Sequence, residues 1–314
     1  MVKDEFAVPS RDKKTALHTV EWLPEGRPRA VLQISHGVSE YILRYGDFAG
    51  FLTARGFAVV GNDHLGHGQS VAQGASRLYF GATGGWNTAV DDLYALRCLE
   101  SQKFPDLPYF LLGHSMGSFL ARTYLIRYPG VVDGAILMGT GQMSPALVAA
   151  GRAISAAEGR RVGEKNPSPV IQKLAFEAYN KAFAPNRTAF DWVSSDAAVV
   201  DSYVADPYCG GNPSVGLFRE MLGGIAFITK QSNVEQMNRN TPVLFVSGEE
   251  DPVGERGKGV RRAYQSFHRA GVRDLTMKLY PGARHEILND VCRTEVYGDL
   301  AAWLLARLPI PAGV

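Results

Sequence analysis

Residues 108–128 read P-Y-F-L-L-G-H-S-M-G-S-F-L-A-R-T-Y-L-I-R-Y. Tyr109, Phe110, Leu111 and Leu112 form a short unbroken apolar run, the pattern of a strand buried on both faces of a parallel sheet. Gly113-His114-Ser115-Met116-Gly117 follows at once. Phe119, Leu120 and Tyr124 then recur at helical spacing, and Pro129 stops the helix after Tyr128. The reading is strand, sharp turn, helix, with Ser115 at the bend.

That position carries chemistry. In a G-x-S-x-G elbow the serine adopts strained dihedrals, and the flanking glycines remove side chains that would collide where strand and helix meet. A helix starting at Met116 aims backbone N–H groups and its positive dipole end at the site, which stabilises an anion forming beside the Ser115 hydroxyl. In a chain with 34 glycines among 314 residues the string alone is a modest signal; the flanking strand and helix give it weight.

The composition excludes several classes. Hydrophobic residues make up 46% of the chain, enough for a large core. The net charge is +2, from 33 basic and 31 acidic residues, with no long single-sign run, so nucleic acid is not expected as a partner. Cys98, Cys209 and Cys292 are odd in number and scattered, without zinc or disulfide spacing, which fits a reducing compartment. Residues 1–14 are charged and lack the apolar core of a signal peptide. No stretch approaches the roughly 18 apolar residues of a membrane span. The expectation is a soluble cytoplasmic protein.

Working upstream from the elbow, two antiparallel strands are expected around Phe6-Val8 and residues 15–22, followed after the Pro24-Glu25-Gly26 turn by a strand at Ala30-Val31-Leu32-Gln33-Ile34-Ser35. His36-Gly37-Val38-Ser39-Glu40 comes directly after it. Gly37 lets the backbone approach a ligand, so the Val38 N–H is the candidate second donor to an oxyanion, with Met116 as the first. Residues 45–55 read as a helix and Phe57-Ala58-Val59-Val60 as a strand, so strand and helix alternate. His64 and His67 lie in the glycine-spaced loop 62–70. They lack the further ligands zinc needs, and a structural loop bonded through Asp63 is expected. Residues 88–103 form an amphipathic helix, with Val90, Leu93, Leu96 and Leu99 placed on one face.

Downstream, Gly134-Ala135-Ile136-Leu137-Met138 is another buried strand, and then the alternation fails. Residues 142–240 are helical and irregular, without a convincing strand, which predicts a helical cap inserted between core segments 1–141 and 241–314. Leu217, Phe218, Met221, Leu222, Ile225 and Ile228 form an apolar stripe that packs the cap onto the core, or in part lines an acyl tunnel or touches a membrane surface. Strands return at residues 241–248 and 275–280, with helices over 257–270 and 294–308. Val296, Leu300, Trp303 and Leu304 of the last helix are expected to cover the sheet.

Serine near neutral pH needs a base to take its proton and a carboxylate to orient that base. Asp251 and His285 each follow one of the last two strands, on the edge where Ser115 emerges, and the order Ser, Asp, His is that of nucleophile-elbow hydrolases. Glu249 and Glu250 compete with Asp251 for the acid. His18 and His268 lie in surface-like contexts, and His36, His64 and His67 in loops before the nucleophile, which leaves His285 as the base.

Gly113-His114-Ser115-Met116-Gly117, His36-Gly37-x-x-Glu40-x-x-x-Arg44-Tyr45 and Asp63-His64-x-Gly66-His67-Gly68-x-Ser70 resemble the α/β-hydrolase branch of monoacylglycerol lipases and bacterial lysophospholipases. Asp251-Pro252-Val253-Gly254 and Tyr280-Pro281-Gly282-Ala283-Arg284-His285-Glu286 are similar to the same group. The resemblance covers the core and is weak over the cap. It implies an α/β-hydrolase fold, a mostly parallel sheet flanked by helices with an inserted cap, working without a cofactor. An acyl-serine ester would form at Ser115, with Asp251 and His285 as partners and the Val38 and Met116 amides as oxyanion hole. An acyl tunnel beneath the cap is implied, with Gly37, Glu40, Arg44 and His114 binding substrate and the polar head near Glu40 and Arg44. The chain departs from the animal monoacylglycerol lipases in having Leu288 where a second histidine follows the catalytic one, which bears on glycerol recognition.

The expected activity is cofactor-independent hydrolysis of a monoacylglycerol or similar single-chain lipid ester. Lysophospholipase, short-chain carboxylesterase and aminopeptidase activities, or non-catalytic ligand binding on the same scaffold, are the alternatives. The expected partners are the lipid substrate and, through the cap, transient contact with a membrane surface or lipid aggregate, for a monomer or homodimer.

Overall fold

Short extended runs closed by turn residues become strands here, and the computed structural model describes them within residues 1–309. In chain order they are β1 (Val2–Pro9), β2 (Ala16–Leu23), β3 (Ala30–Ser35), β4 (Phe57–Asn62), β5 (Tyr109–His114), β6 (Gly134–Met138), β7 (Val243–Gly248) and β8 (Leu275–Tyr280). They form one eight-stranded sheet in the order β1-β2-β4-β3-β5-β6-β7-β8. β1 and β2 pair antiparallel, as do β2 and β4; every other pairing is parallel.

Both faces of the central strands are buried, which explains their unbroken apolar runs. Along β5, Tyr109 and Leu111 join one core cluster with Leu120 and Tyr124 of the elbow helix Met116–Arg127. Phe110 and Leu112 point into the other, with Phe48 of the helix Gly46–Thr53 and Leu300, Trp303 and Leu304 of the helix Arg293–Leu305. Cutting a buried leucine such as Leu111 back to alanine should cost about 2–5 kcal/mol.

Register then decides where the chemistry goes. Ser35 pairs with Gly113, His114 with Met138, Met138 with Val246, and Gly248 with Tyr280. The carboxyl ends of β3, β5, β6, β7 and β8 therefore share one edge, the edge at which parallel sheets present their sites.

One expectation about the helix Gly85–Lys103 needs correction. Val90, Leu93 and Leu96 are buried, but Leu99 is 40% exposed. Each three-residue step falls about 60° short of a full turn, so by Leu99 the series has rotated about 180° away from Val90. Glu100, 1% exposed, occupies the buried face instead. His18 is also not a surface residue: its ring is bonded by Asp63 at 3.0 Å and Glu5 at 2.8 Å.

Between β6 and β7 the described residues form no strand beyond an isolated bridge of Pro167 with Ser214. Three longer helices run over Pro145–Val162, Ala197–Ala205 and Val215–Thr229. Ser144 and Ser214 cap the first and last by accepting from the Leu147 and Leu217 amides. Leu217, Leu222, Ile225 and Ile228 of the last helix pack into the main core, while Phe218 and Met221 join a smaller cluster with Ile171. No helix of the described residues is long and apolar enough to cross a membrane.

Candidate active site

Ser115 sits at φ 54°, ψ −121°, a conformation L-residues rarely adopt, between the end of β5 and the first residue of the elbow helix. The glycines beside it are a steric requirement. A methyl at Gly113 would run into the Gly117 carbonyl, and one at Gly117 into the Ser35 carbonyl. The bend is braced by the Ser115 amide donating to Met138 O at 3.0 Å and by Ser118 Oγ donating to Ser115 O at 2.6 Å.

Asp251 follows β7 and His285 follows β8, and the fold brings them together. Asp251 Oδ1 lies 3.0 Å from His285 Nδ1 and accepts the Val253 amide at 2.9 Å, while Oδ2 accepts the Ser247 hydroxyl at 3.0 Å. Burial pushes the Asp251 carboxyl up, but His285, the Val253 amide and Ser247 together bring it below its ordinary value. Glu249 and Glu250 are exposed, and neither bonds His285. With Nδ1 turned to Asp251, the other ring nitrogen of His285 is left for the pocket that Ser115 and His285 both line. His114 and Trp192 flank the imidazole with ring centroids 4.8 and 5.1 Å away. Gly139 leaves room for it: a methyl there would stand 3.1 Å from His285 Cε1.

The loop after β3 faces Ser115 from the other side. Glu40 Oε1 accepts the Gly37 amide at 2.5 Å, the Tyr45 hydroxyl at 3.0 Å and His114 Nδ1 at 2.8 Å. Its other oxygen accepts Arg44 at 3.1 Å, and Arg44 makes a two-armed bond to Glu286, both arms at 2.6 Å. Burial alone would raise the Glu40 carboxyl, yet His114 and Arg44 hold it far below the usual carboxylate range. Burial likewise opposes a charge on His114, and Glu40 overrides it and raises the ring. Gly37, Val38, Glu40 and His114 line the pocket with Ser115; Arg44 does not, being spent between Glu40 and Glu286. The Met116 amide opens the elbow helix, so no residue of that helix lies N-terminal to accept its N–H.

His36, His64 and His67 form a buried cluster whose rings are 4.3 to 6.4 Å apart. His36 Nε2 accepts the His64 amide and His64 Nε2 meets Ser35 Oγ, so these rings hold the loops together. Burial pushes His67 down to about 3, and a neutral ring results. Asp63 anchors the same loop, accepting the Ile42 and Gln69 amides.

Two separate cavities lie near the nucleophile. The one with Ser115 and His285 holds only about 20 Å³, room for about one water. The other is an apolar cavity of about 390 Å³ between the helices Pro145–Val162 and Val215–Thr229. Phe119 of the elbow helix and Val253 beside Asp251 form its inner end. The short helical stretch after Ser168 stands between them: Gln172 and Phe176 face the nucleophile, Ile171, Leu174 and Tyr179 the cavity. Sequence reasoning missed Gln172, Phe176, Trp192 and Tyr203, which lie in a region without periodicity. Glu286, adjacent to His285, was legible as a motif but not as the partner of Arg44.

A family described as serine aminopeptidase, S33, matches residues 26–291. The monoacylglycerol lipase of Mycolicibacterium smegmatis is 29% identical, with 91% of this chain and 92% of that protein covered. Human monoglyceride lipase is 28% identical, with 91% and 86% covered. Among solved structures, a thermostable carboxyl esterase from Bacillus coagulans in complex with glycerol has a TM-score of 0.90 at 27% identity, covering 98% of this chain and 99% of its own. The monoglyceride lipase of Saccharomyces cerevisiae, at 18% identity and a TM-score of 0.77 over 99% and 97% of the two chains, shares the fold.

Proposed function

The chain belongs to the serine aminopeptidase S33 family of α/β-hydrolases and is a serine hydrolase of carboxylic esters, and from that premise we propose that it cleaves monoacylglycerols through an acyl-enzyme on Ser115. Ser115 Oγ attacks the ester carbonyl as His285 takes its proton, and Asp251 orients the ring and stabilises its cation. The Val38 and Met116 N–H groups receive the oxyanion, each worth about 3–4 kcal/mol of barrier. His285 returns the proton to the departing alcohol. Water, activated by the same ring, then releases the fatty acid.

The observation that carries this reading is the 3.0 Å bond of His285 to a buried Asp251, in a pocket shared with Ser115 and beside an apolar cavity of about 390 Å³. A cavity of that size and lining fits a single acyl chain. A neutral head is favoured by charge: Glu40 and Glu286 are both taken up by Arg44 and His114, leaving no spare carboxylate among the described residues lining the pocket for choline or for the free amine of a peptide. Residues 142–240 act as a cap over a core of 1–141 and, within the described residues, 241–309. Leu147 and Leu174, 54% and 58% exposed on the cavity wall, support transient contact with a lipid aggregate. The three free cysteines fit a cytoplasmic setting.

The test is the initial rate on matched monoacylglycerols and lysophosphatidylcholines, short to long, with Ser115→Ala as the blank. The expected result is preference for monoacylglycerols and a loss on the order of a millionfold in kcat for Ser115→Ala. Cleavage of short water-soluble esters alone would overturn the lipid assignment and leave the nucleophile standing.

A further inference from the structure

The Trp192 side chain is 5% exposed, and its Nε1–H meets no acceptor among the described residues. Buried donors are paired in folded proteins as a rule, and an orphan marks a place where something else supplies the acceptor. Trp192 lines the small pocket with Ser115 and His285, its ring 5.1 Å from the His285 imidazole.

Its placement is set by the loop that carries His285. Glu286 N donates to Val193 O at 2.8 Å, and Arg284 Nη1 donates to Asp191 O at 2.5 Å and Ser194 O at 3.0 Å. The Ser195 amide donates to Asp290 Oδ1 at 3.0 Å, and the Trp192 amide donates to Asn180 Oδ1 at 3.1 Å. A backbone pinned on both sides of Trp192 to the loop of the candidate base fixes where the buried indole is carried, so little freedom is lost on meeting a ligand. Other polar groups of the pocket are committed. Glu40 and Glu286 serve Arg44, His114 and the Gly37 amide, Ser39 Oγ donates to Gly211 O, and Tyr203 donates to Ser39 O at 3.3 Å. The exceptions among the described residues are His114 Nε2, buried without a partner, and the side-chain amide of Gln172 on the pocket wall.

We propose that Trp192 Nε1–H, assisted by the Gln172 amide, holds a free hydroxyl of the alcohol half of the ester beside His285, and so selects esters of polyhydric alcohols. This rests on the reading of the chain as a monoacylglycerol hydrolase and names the residues that set its leaving-group preference. The departing oxygen must lie next to His285 to receive its proton, so a donor packed against that ring is placed to reach the neighbouring hydroxyl.

The experiment compares kcat/KM for a monoacylglycerol and for the methyl ester of the same fatty acid, in wild type, Trp192→Phe and Gln172→Leu. Phenylalanine keeps an aromatic ring against His285 and removes the donor together with part of the indole's bulk, which the methyl ester, read in parallel, controls for. The expected result is a roughly tenfold fall in the monoacylglycerol-to-methyl-ester ratio for Trp192→Phe, about what one neutral hydrogen bond is worth, and a smaller fall for Gln172→Leu. An unchanged ratio overturns the proposal, whether both rates fall together, as for a ring that merely supports His285, or neither does. The pH profile of the methyl-ester reaction separates those cases, since a displaced His285 moves it. A wild-type enzyme that cleaves the methyl ester and ignores the monoacylglycerol overturns the head-group reading itself, independently of the variants.

Discussion

Glu40 Oε1 lies 2.8 Å from His114 Nδ1 and also accepts the Gly37 amide, so one buried carboxylate ties the nucleophile elbow to the loop that carries Val38. The two amides proposed for the oxyanion hole are thereby held in register by a single side chain. Glu40→Gln keeps the shape and removes the charge that His114 and Gly37 N–H share. The expected outcome is a kcat about 10- to 100-fold lower with a smaller change in KM, because an oxyanion contact acts in the transition state. Steady-state kinetics on one soluble ester reads it.

The same pair makes stability depend on pH. His114 is raised above its ordinary 6.5 in the folded protein, so its contribution is full below 6.5 and is lost as pH rises through the folded value. Glu40 is depressed, so its contribution is full above 4.5 and is lost as pH falls through its folded value. Urea midpoints of wild type and His114→Gln should therefore differ most between about pH 4.5 and 6.5 and converge toward alkaline pH.

Glu100 works in the opposite sense to Glu40. Burial, and then the neighbouring Glu21 carboxylate, push its carboxyl up to about 8, and Lys103 pairs with Glu21 rather than with it. Oxygens of both acids are buried without a partner, so the folded chain favours a proton on Glu100. Its stabilising contribution is complete below 4.5 and lost as pH rises through about 8. Glu100→Gln, permanently neutral, should flatten that slope and at pH 9 exceed wild type by on the order of 1–3 kcal/mol, read by denaturant unfolding across the range.

The acid of the site is tested by contrast. Asp251→Asn leaves a side chain of the same shape but offers the wrong hydrogen-bonding partner to His285 Nδ1, and kcat should fall about 10⁴-fold. Glu249→Gln and Glu250→Gln alter exposed carboxylates that do not bond His285. They should stay within about twofold of wild type. A large loss in either would move the acid away from Asp251.

These contrasts follow what a sequence can and cannot carry. Ser115, Asp251 and His285 were legible because each sits in a short local motif just after an apolar strand, and parallel register brings strand ends to one edge. Leu99 was misplaced because a three-residue step imitates helical spacing for two turns before it drifts off the face. The union of Arg44 with Glu286 spans 242 positions and leaves no local trace. The family resemblance implies that Arg44 meets the substrate head, and nothing local to Arg44 points to Glu286 instead. Trp192 lies in a turn held by Arg284, Glu286 and Asp290, contacts that exist only once the loop after β8 is in place. Periodicity reports which face of an element is buried; it is silent about irregular chain pinned by distant side chains.

The apolar cavity gives the last prediction. Met221 is half-buried on its wall, on the helix Val215–Thr229, while Leu222 and Ile225 next to it pack into the core. Widening Met221 to tryptophan adds bulk to a side chain that lines the cavity, where the space of about 390 Å³ can take it, while Leu217 and Ile228 of the same helix keep their place in the core. If the cavity holds the acyl chain, long chains lose contact area and short ones do not. At about 0.8 kcal/mol per buried methylene, displacing two methylenes costs roughly tenfold in binding. Met221→Trp should therefore shift the chain-length optimum of kcat/KM toward shorter esters, with a loss of about tenfold or more on the longest. An unshifted optimum would place the acyl chain elsewhere, because a merely loosened fold lowers all chain lengths together.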